Sequence, residues 1–165
     1  MNLRFAHFQD LKKLDPMLRD YLHEQREAGS PVLPTQRTFN AYRDMARAYL
    51  SGSLFGVLVL AEDEGTPVGF VLAGENTSGG TRFDTSLGKV AYVWLVWVAP
   101  HVRKHGVGLS MLSFGRPRLV ELGFNVAAMT VREDNTEGQA LTLAFGASPT
   151  EREFLFDLAE KPHHG

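Results

Sequence analysis

The sequence predicts an α/β (mixed α+β) domain: a mixed sheet with helices on both faces. Strand-like runs and helical stripes succeed one another as β-α-α-β-β-β-α-β-α-β, which is not the strict alternation of a doubly wound fold. Leu54–Ala61 and Pro67–Glu75 are joined by Glu62-Asp63-Glu64-Gly65-Thr66, whose length and glycine fit a hairpin. Val90–Ala99 is almost continuously apolar, as expected of a central strand covered on both sides.

Taken in order, Leu3–His7 reads as a short first strand with Leu3, Phe5 and His7 on one face. Leu11, Leu14, Leu18 and Leu22 then follow the spacing of a buried helical stripe. Pro16 after Asp15 suits a capped first turn, so a short turn and then a helix is expected there. Thr35 can cap a second helix with Phe39, Tyr42, Ala46 and Leu50 inward, and Gly52 closes it. After the hairpin and the long apolar strand, a helix beginning near Gly108 turns Leu109, Leu112, Leu119 and Leu122 inward and stops at Gly123. Pro117 is expected to kink or divide it. Val126–Val131 reads as a strand, Asp134 or Asn135 as the cap of a helix ending at Gly146, and Phe154–Leu158 as a closing strand.

The 165 residues fit a single domain over 1–165, with 160–165 as a frayed tail. A net charge of -2 offers no global attraction to nucleic acid or to an anionic membrane. The absence of cysteine removes disulfides, thiolate metal sites and a cysteine nucleophile. The start lacks a signal-peptide layout and no apolar run is long enough to span a bilayer, so a cytoplasmic location is expected. His101 and His105 do not make a metal site in a loop without further ligands.

The chemistry concentrates where the long strand ends. Pro100-His101-Val102-Arg103-Lys104-His105-Gly106-Val107-Gly108 leads straight into a helix at Leu109. Amides at a helix start are unpaired and the helix dipole adds positive charge, so a polyphosphate is the favoured ligand. Gly106 and Gly108 allow an anion close to the main chain, and Arg103, Lys104 and His105 supply counter-charge.

The element order, with this loop after the fourth strand, resembles the GNAT superfamily of N-acetyltransferases. Arg103-Lys104-His105-Gly106-Val107-Gly108 fits that family's (Gln or Arg)-x-x-Gly-x-(Gly or Ala) loop, and Val98-Ala99-Pro100 its frequent strand end. Asn135, followed by Gly146 at the end of the next helix, matches a later pattern. The resemblance implies a mostly antiparallel sheet splayed between the fourth and fifth strands, and acetyl-CoA as co-substrate. It implies that amides from Arg103 to Leu109, Val107 included, wrap the pyrophosphate. Main-chain groups around Val96, Trp97 and Val98 would pair with the pantetheine arm, and Asn135 would bond that arm from the other side. The Val98 amide would face the thioester carbonyl and favour an oxyanion.

The resemblance fails at the proton-transfer groups. The family's tyrosine after the asparagine is Thr142 here, and its acidic positions on the fourth strand are Trp94 and Tyr92. Tyr92, Glu133 and Asp134 are the nearest candidates for removing the amine's proton, which must leave before the nitrogen can attack. On a regular strand Trp94 and Trp97 face opposite ways, one of them into the core. The expected activity is direct acetyl transfer to a primary amine, on a small molecule or a protein N-terminus, with a homodimer compatible. The alternative is a non-catalytic acyl-CoA sensor. A generic nucleotide-phosphate domain lacks its Lys-Ser/Thr signature here.

Overall fold

The computed structural model describes residues 1–30, 34–76 and 88–149. The expected closing strand at Phe154–Leu158, the tail, the glycine-rich segment at 77–81 and most of the Pro31–Pro34 loop lie outside them. A five-stranded mixed sheet runs in the order β1 (Asn2–Phe5), β2 (Gly56–Asp63), β3 (Thr66–Gly74), β4 (Val90–Val98) and β5 (Val126–Met129). All neighbours are antiparallel except β4 and β5, which run parallel. Among the described residues four α-helices accompany it: α1 (Leu11–Glu27), α2 (Gln36–Ser51), α3 (Val107–Glu121) and α4 (Thr136–Ala144).

The leucine stripe of α1 is buried at Leu11, Leu14, Leu18 and Leu22, as its spacing requires. The helix does not restart at Pro16; it runs through it from a 3₁₀ turn at Phe8–Asp10. Pro16 is exposed, so the carbonyl it leaves unbonded lies on the watery side, and Asp15 accepts from Arg43 Nε of α2 at 2.7 Å instead of capping. Exposed Pro117 is likewise contained in an uninterrupted α3, against the expected break. The α3 residues that reach the core are Val107, Met111, Leu112 and Gly115, while Leu109, Leu119 and Leu122 are half-buried. Thr35 Oγ1 accepts the Thr38 amide at 3.2 Å, and Gly52 ends α2 at φ 75°, both as anticipated.

The hairpin loop is tighter than the sequence suggests. Its strands extend to Asp63 and Thr66, leaving Glu64 and Gly65 at φ 47° and 81° as a two-residue turn of the kind that matches strand twist.

Helices cover both faces. A Cβ at Gly115 of α3 would lie 3.2 Å from Val59, and one at Gly69 would lie 3.1 Å from Met111, so α3 rests closely on that face. On the other face Tyr49 of α2 fills the space above Gly56 and Gly74, and α1 packs beside it. One irregularity changes the faces of β4. Leu72 pairs with Leu95 but Ala73 pairs with Val93, so Trp94 is an extra residue, a β-bulge. Both indoles consequently meet the α1–α2 layer: Trp94 Nε1 donates to Tyr49 Oη at 3.0 Å, and Trp97 Nε1 to Glu24 at 3.2 Å. The expected opposition of the two tryptophans, correct for a regular strand, is removed by the bulge.

Candidate active site

The sheet opens where β4 outruns β5. Their ladder pairs only Val90 to Val93 with Val126 to Met129, while β4 continues to Val98. Ala99 donates its amide to Val68 of β3 at 2.8 Å. Alternate residues of a strand present their main-chain groups to opposite edges, so Val96 and Val98 turn theirs toward the open side. This is the splay expected between the fourth and fifth strands.

Beyond Val98 the chain makes a 3₁₀ turn at Pro100–Val102 and enters α3 through two left-handed residues, Lys104 at φ 65° and Gly106 at φ 76°. Gly106 stands at the N-cap position of α3 without a side-chain cap. The amides of Lys104, His105, Gly106, Val107, Gly108 and Leu109 meet no acceptor among the described residues. A left-handed bend turns consecutive N–H groups into a concavity, and the helix dipole adds positive potential at the same place. The chemistry of that donor set fits a diphosphate.

The side chains of the loop do other work than expected. Arg103 is not free counter-charge: its Nη2 lies 2.7 Å from both carboxylate oxygens of Glu24, and its Nε donates to the Val98 carbonyl at 2.7 Å. His105 donates from Nδ1 to the Arg103 carbonyl at 2.7 Å, which braces the turn. Lys104 pairs with Glu137 of α4 at 3.2 Å and is largely exposed. Gly108 brings α3 close to α4: a Cβ there would stand 3.2 Å from a methyl of Leu141, which would have to give way slightly. Gly106 has open space around it and is required for its backbone angle.

Across the opening, Asn135 is the N-cap of α4, its Oδ1 accepting the Gly138 amide at 2.8 Å. Its Nδ2 has no partner among the described residues. Asp134, the other expected cap, is instead gripped by Arg132 Nε and Nη2. That contact holds its carboxyl below the usual range and makes it a weaker base. Glu133 is exposed just ahead of α4, and its carbonyl accepts from Gln139. Thr142 donates its hydroxyl to the Gly138 carbonyl at 2.7 Å, a helix-internal bond, with the Met129 sulfur 3.3 Å away. Tyr92 packs its ring on Trp94 at 4.9 Å and lies in the closed part of the ladder. At strand rise it sits roughly 20 Å from Val98. Tyr49 is no acid near neutrality either, because burial pushes its phenol up to about 12.

Two residues here escaped the sequence reading. Glu24 lies near the end of α1, 79 residues before Arg103 in the chain, and no spacing links the two. Arg132 reaches the Ala28 carbonyl at 2.6 Å, tying the end of α1 to the segment after β5. The last turns of α1 therefore touch both lips of the opening.

The family profile described as the acetyltransferase (GNAT) family matches residues 16–147. The chain belongs to the GNAT acetyltransferase family. It matches no curated protein. Among solved structures it is similar to a predicted acetyltransferase from Clostridium acetobutylicum with acetyl-CoA, at 17% identity and TM-score 0.73, covering 99% of both chains. It is also similar to a GCN5-related N-acetyltransferase from Ralstonia eutropha JMP134, at 21% identity and TM-score 0.71, over 96% of this chain and 99% of that one. A third is the aminoglycoside N-acetyltransferase AAC(6')-Iy in complex with CoA, at 17% identity and TM-score 0.67, over 94% and 98%. At such identities the likeness is one of fold. Family membership makes acyl transfer the chemistry of this GNAT chain. No helix among its described residues is long and apolar enough to cross a membrane, and no cluster of metal-ligating side chains occurs among them.

Proposed function

We propose that this GNAT protein moves an acetyl group from acetyl-CoA directly to a primary amine. The carrying observation is the run of unpartnered amides from Lys104 to Leu109, set beside the open edge of β4. Those amides hold the diphosphate, with Lys104 adding charge. Main-chain groups of Val96 and Val98 hold the pantetheine arm as an added strand, and Asn135 Nδ2 bonds it from the far side. Acetyl-CoA brings an acyl group already activated as a thioester. The chain's part is to aim the Val98 amide at the carbonyl oxygen as negative charge gathers there, a contact worth about 3 kcal/mol in acyl transfer. The incoming amine gives up its proton to water, because Asp134 is paired and Thr142 bonds its own helix.

Replacing Gly106 by Glu tests this reading. The new carboxylate faces the diphosphate and the residue resists φ 76°, so CoA affinity measured by calorimetry falls at least about a hundredfold. Full affinity in Gly106→Glu refutes the loop assignment.

A second reading, an acyl-CoA sensor without turnover, is favoured by the internal hydrogen bond of Thr142. Thiol release from acetyl-CoA across a panel of amines decides between them. Steady release identifies a transferase, and binding without release identifies a sensor.

A further inference from the structure

We propose that Glu24 is a positioning residue for acyl transfer: from α1 it aims Arg103 at the Val98 carbonyl and so fixes the edge that carries the oxyanion donor. The inference rests on the acyl-transfer reading above. A guanidinium is a flat fork, so holding one side of it sets where the other side points. Glu24 holds Nη2 of Arg103 with both oxygens at 2.7 Å and receives Trp97 Nε1 at 3.2 Å as well. Arg103 Nε is thereby directed onto the Val98 carbonyl at 2.7 Å.

That carbonyl stands on an edge with no partner strand among the described residues, where it would otherwise be free to tilt. Its peptide plane is also held from the opposite side, because the Ala99 amide donates to Val68. A rigid, planar peptide fastened at both ends restricts the torsions of Val98, and the Val98 amide is the group asked to meet the developing oxyanion.

The same contact has a second effect. Glu24 neutralises Arg103 and keeps it off the phosphate loop, so binding of the diphosphate falls to the amides, with added charge from Lys104, whose pair with Glu137 is exposed and weak. Removing Glu24 then has opposite consequences for the two halves of the reaction. The edge loosens and transfer slows, while a released Arg103 is free to join the diphosphate. A salt bridge that merely stabilised the fold would lower both together.

Glu24→Ala and Glu24→Gln in the full chain test this by two measurements. Calorimetry gives the affinities for CoA and acetyl-CoA, and thiol release with an amine panel gives kcat and KM. The expected result is a kcat reduced about tenfold, with CoA affinity equal to or tighter than that of the unaltered protein. The preference for acetyl-CoA over CoA should shrink in the same variants. Exchanging the charges, Glu24→Arg with Arg103→Glu, restores a salt bridge but leaves no donor for Val98, so kcat stays low. An unchanged kcat in Glu24→Ala, a parallel loss of CoA affinity, or recovery by the exchanged pair overturns the assignment. If the unaltered protein binds acetyl-CoA without turnover, the ratio of the two affinities alone decides it, an unchanged ratio in Glu24→Ala being refutation. Failure of the unaltered protein to bind CoA refutes the reading of the loop and takes this inference with it.

Discussion

Two arginine–carboxylate clusters in this molecule use the same chemistry for different ends. At the far edge of the sheet, Arg4 of β1 bonds Asp10 at 2.8 and 2.9 Å and Glu62 at 2.7 and 3.1 Å, with Lys13 alongside. Asp10 and Glu62 are buried. At the opening of the sheet, Arg103 and Glu24 are about one-third exposed and one guanidinium nitrogen is given to a main-chain carbonyl. The first cluster gives its short contacts to carboxylates, with one longer bond to the Phe5 carbonyl at 3.3 Å, and holds β1, β2 and the start of α1 together. The second takes the indole N–H of Trp97 and reaches the Val98 carbonyl, so on the inference above it governs where a strand edge sits. An ion pair's partners, more than its presence, reveal what it is for.

The comparison breaks most decisively at Arg4. Arg4→Ala leaves two buried carboxylates with only the longer, half-exposed Lys13 contacts and should cost about 3 kcal/mol in denaturant unfolding, with CoA affinity unchanged in the folded fraction. Acid sharpens it next. The hydrogen bonds from Arg4 hold the carboxyls of Asp10 and Glu62 below their ordinary values. The unfolded chain therefore binds protons more readily, so this stabilisation is complete above about pH 5 and disappears as pH falls through the depressed values. Thermal midpoints taken from about pH 6 to about pH 3 should drop in the unaltered protein and drop less steeply in Asp10→Asn, which starts lower. Glu24→Ala should cost less, about 2 kcal/mol in the same unfolding experiment, because it breaks a partly exposed pair and leaves the buried Trp97 indole N–H without its acceptor. Smallest of all, Thr142→Val should change kcat less than about twofold, because its hydroxyl serves the α4 backbone.

What the sequence disclosed follows from locality. The leucine stripe of α1, the Thr35 cap, the Gly52 stop and the glycine-bearing loop before α3 each depend on neighbours within a few residues, and all are where the pattern put them. Pro16 and Pro117 misled because a helix tolerates proline when the orphaned carbonyl faces water, a fact fixed by tertiary burial. The two tryptophans misled because a single bulged residue reverses the parity of a strand, and no local signal marks it. Arg103 was legible as a loop cation and illegible as the partner of Glu24, since the two lie 79 residues apart in the chain. Asp134 and Asn135 were near-equivalent as caps on paper; Arg132 decided the choice by taking Asp134 for itself.

The brevity of the parallel ladder has a dynamic consequence. Val90 to Val93 are locked between two strands, whereas among the described residues Val96 and Val98 have a neighbouring strand on one side only. In deuterated water the amides of Val96 and Val98 should exchange rapidly in the empty protein and become protected once acetyl-CoA lies along them. On the proposed binding mode the substrate completes the sheet, and the stiffness of this region then varies with the acetyl-CoA supply.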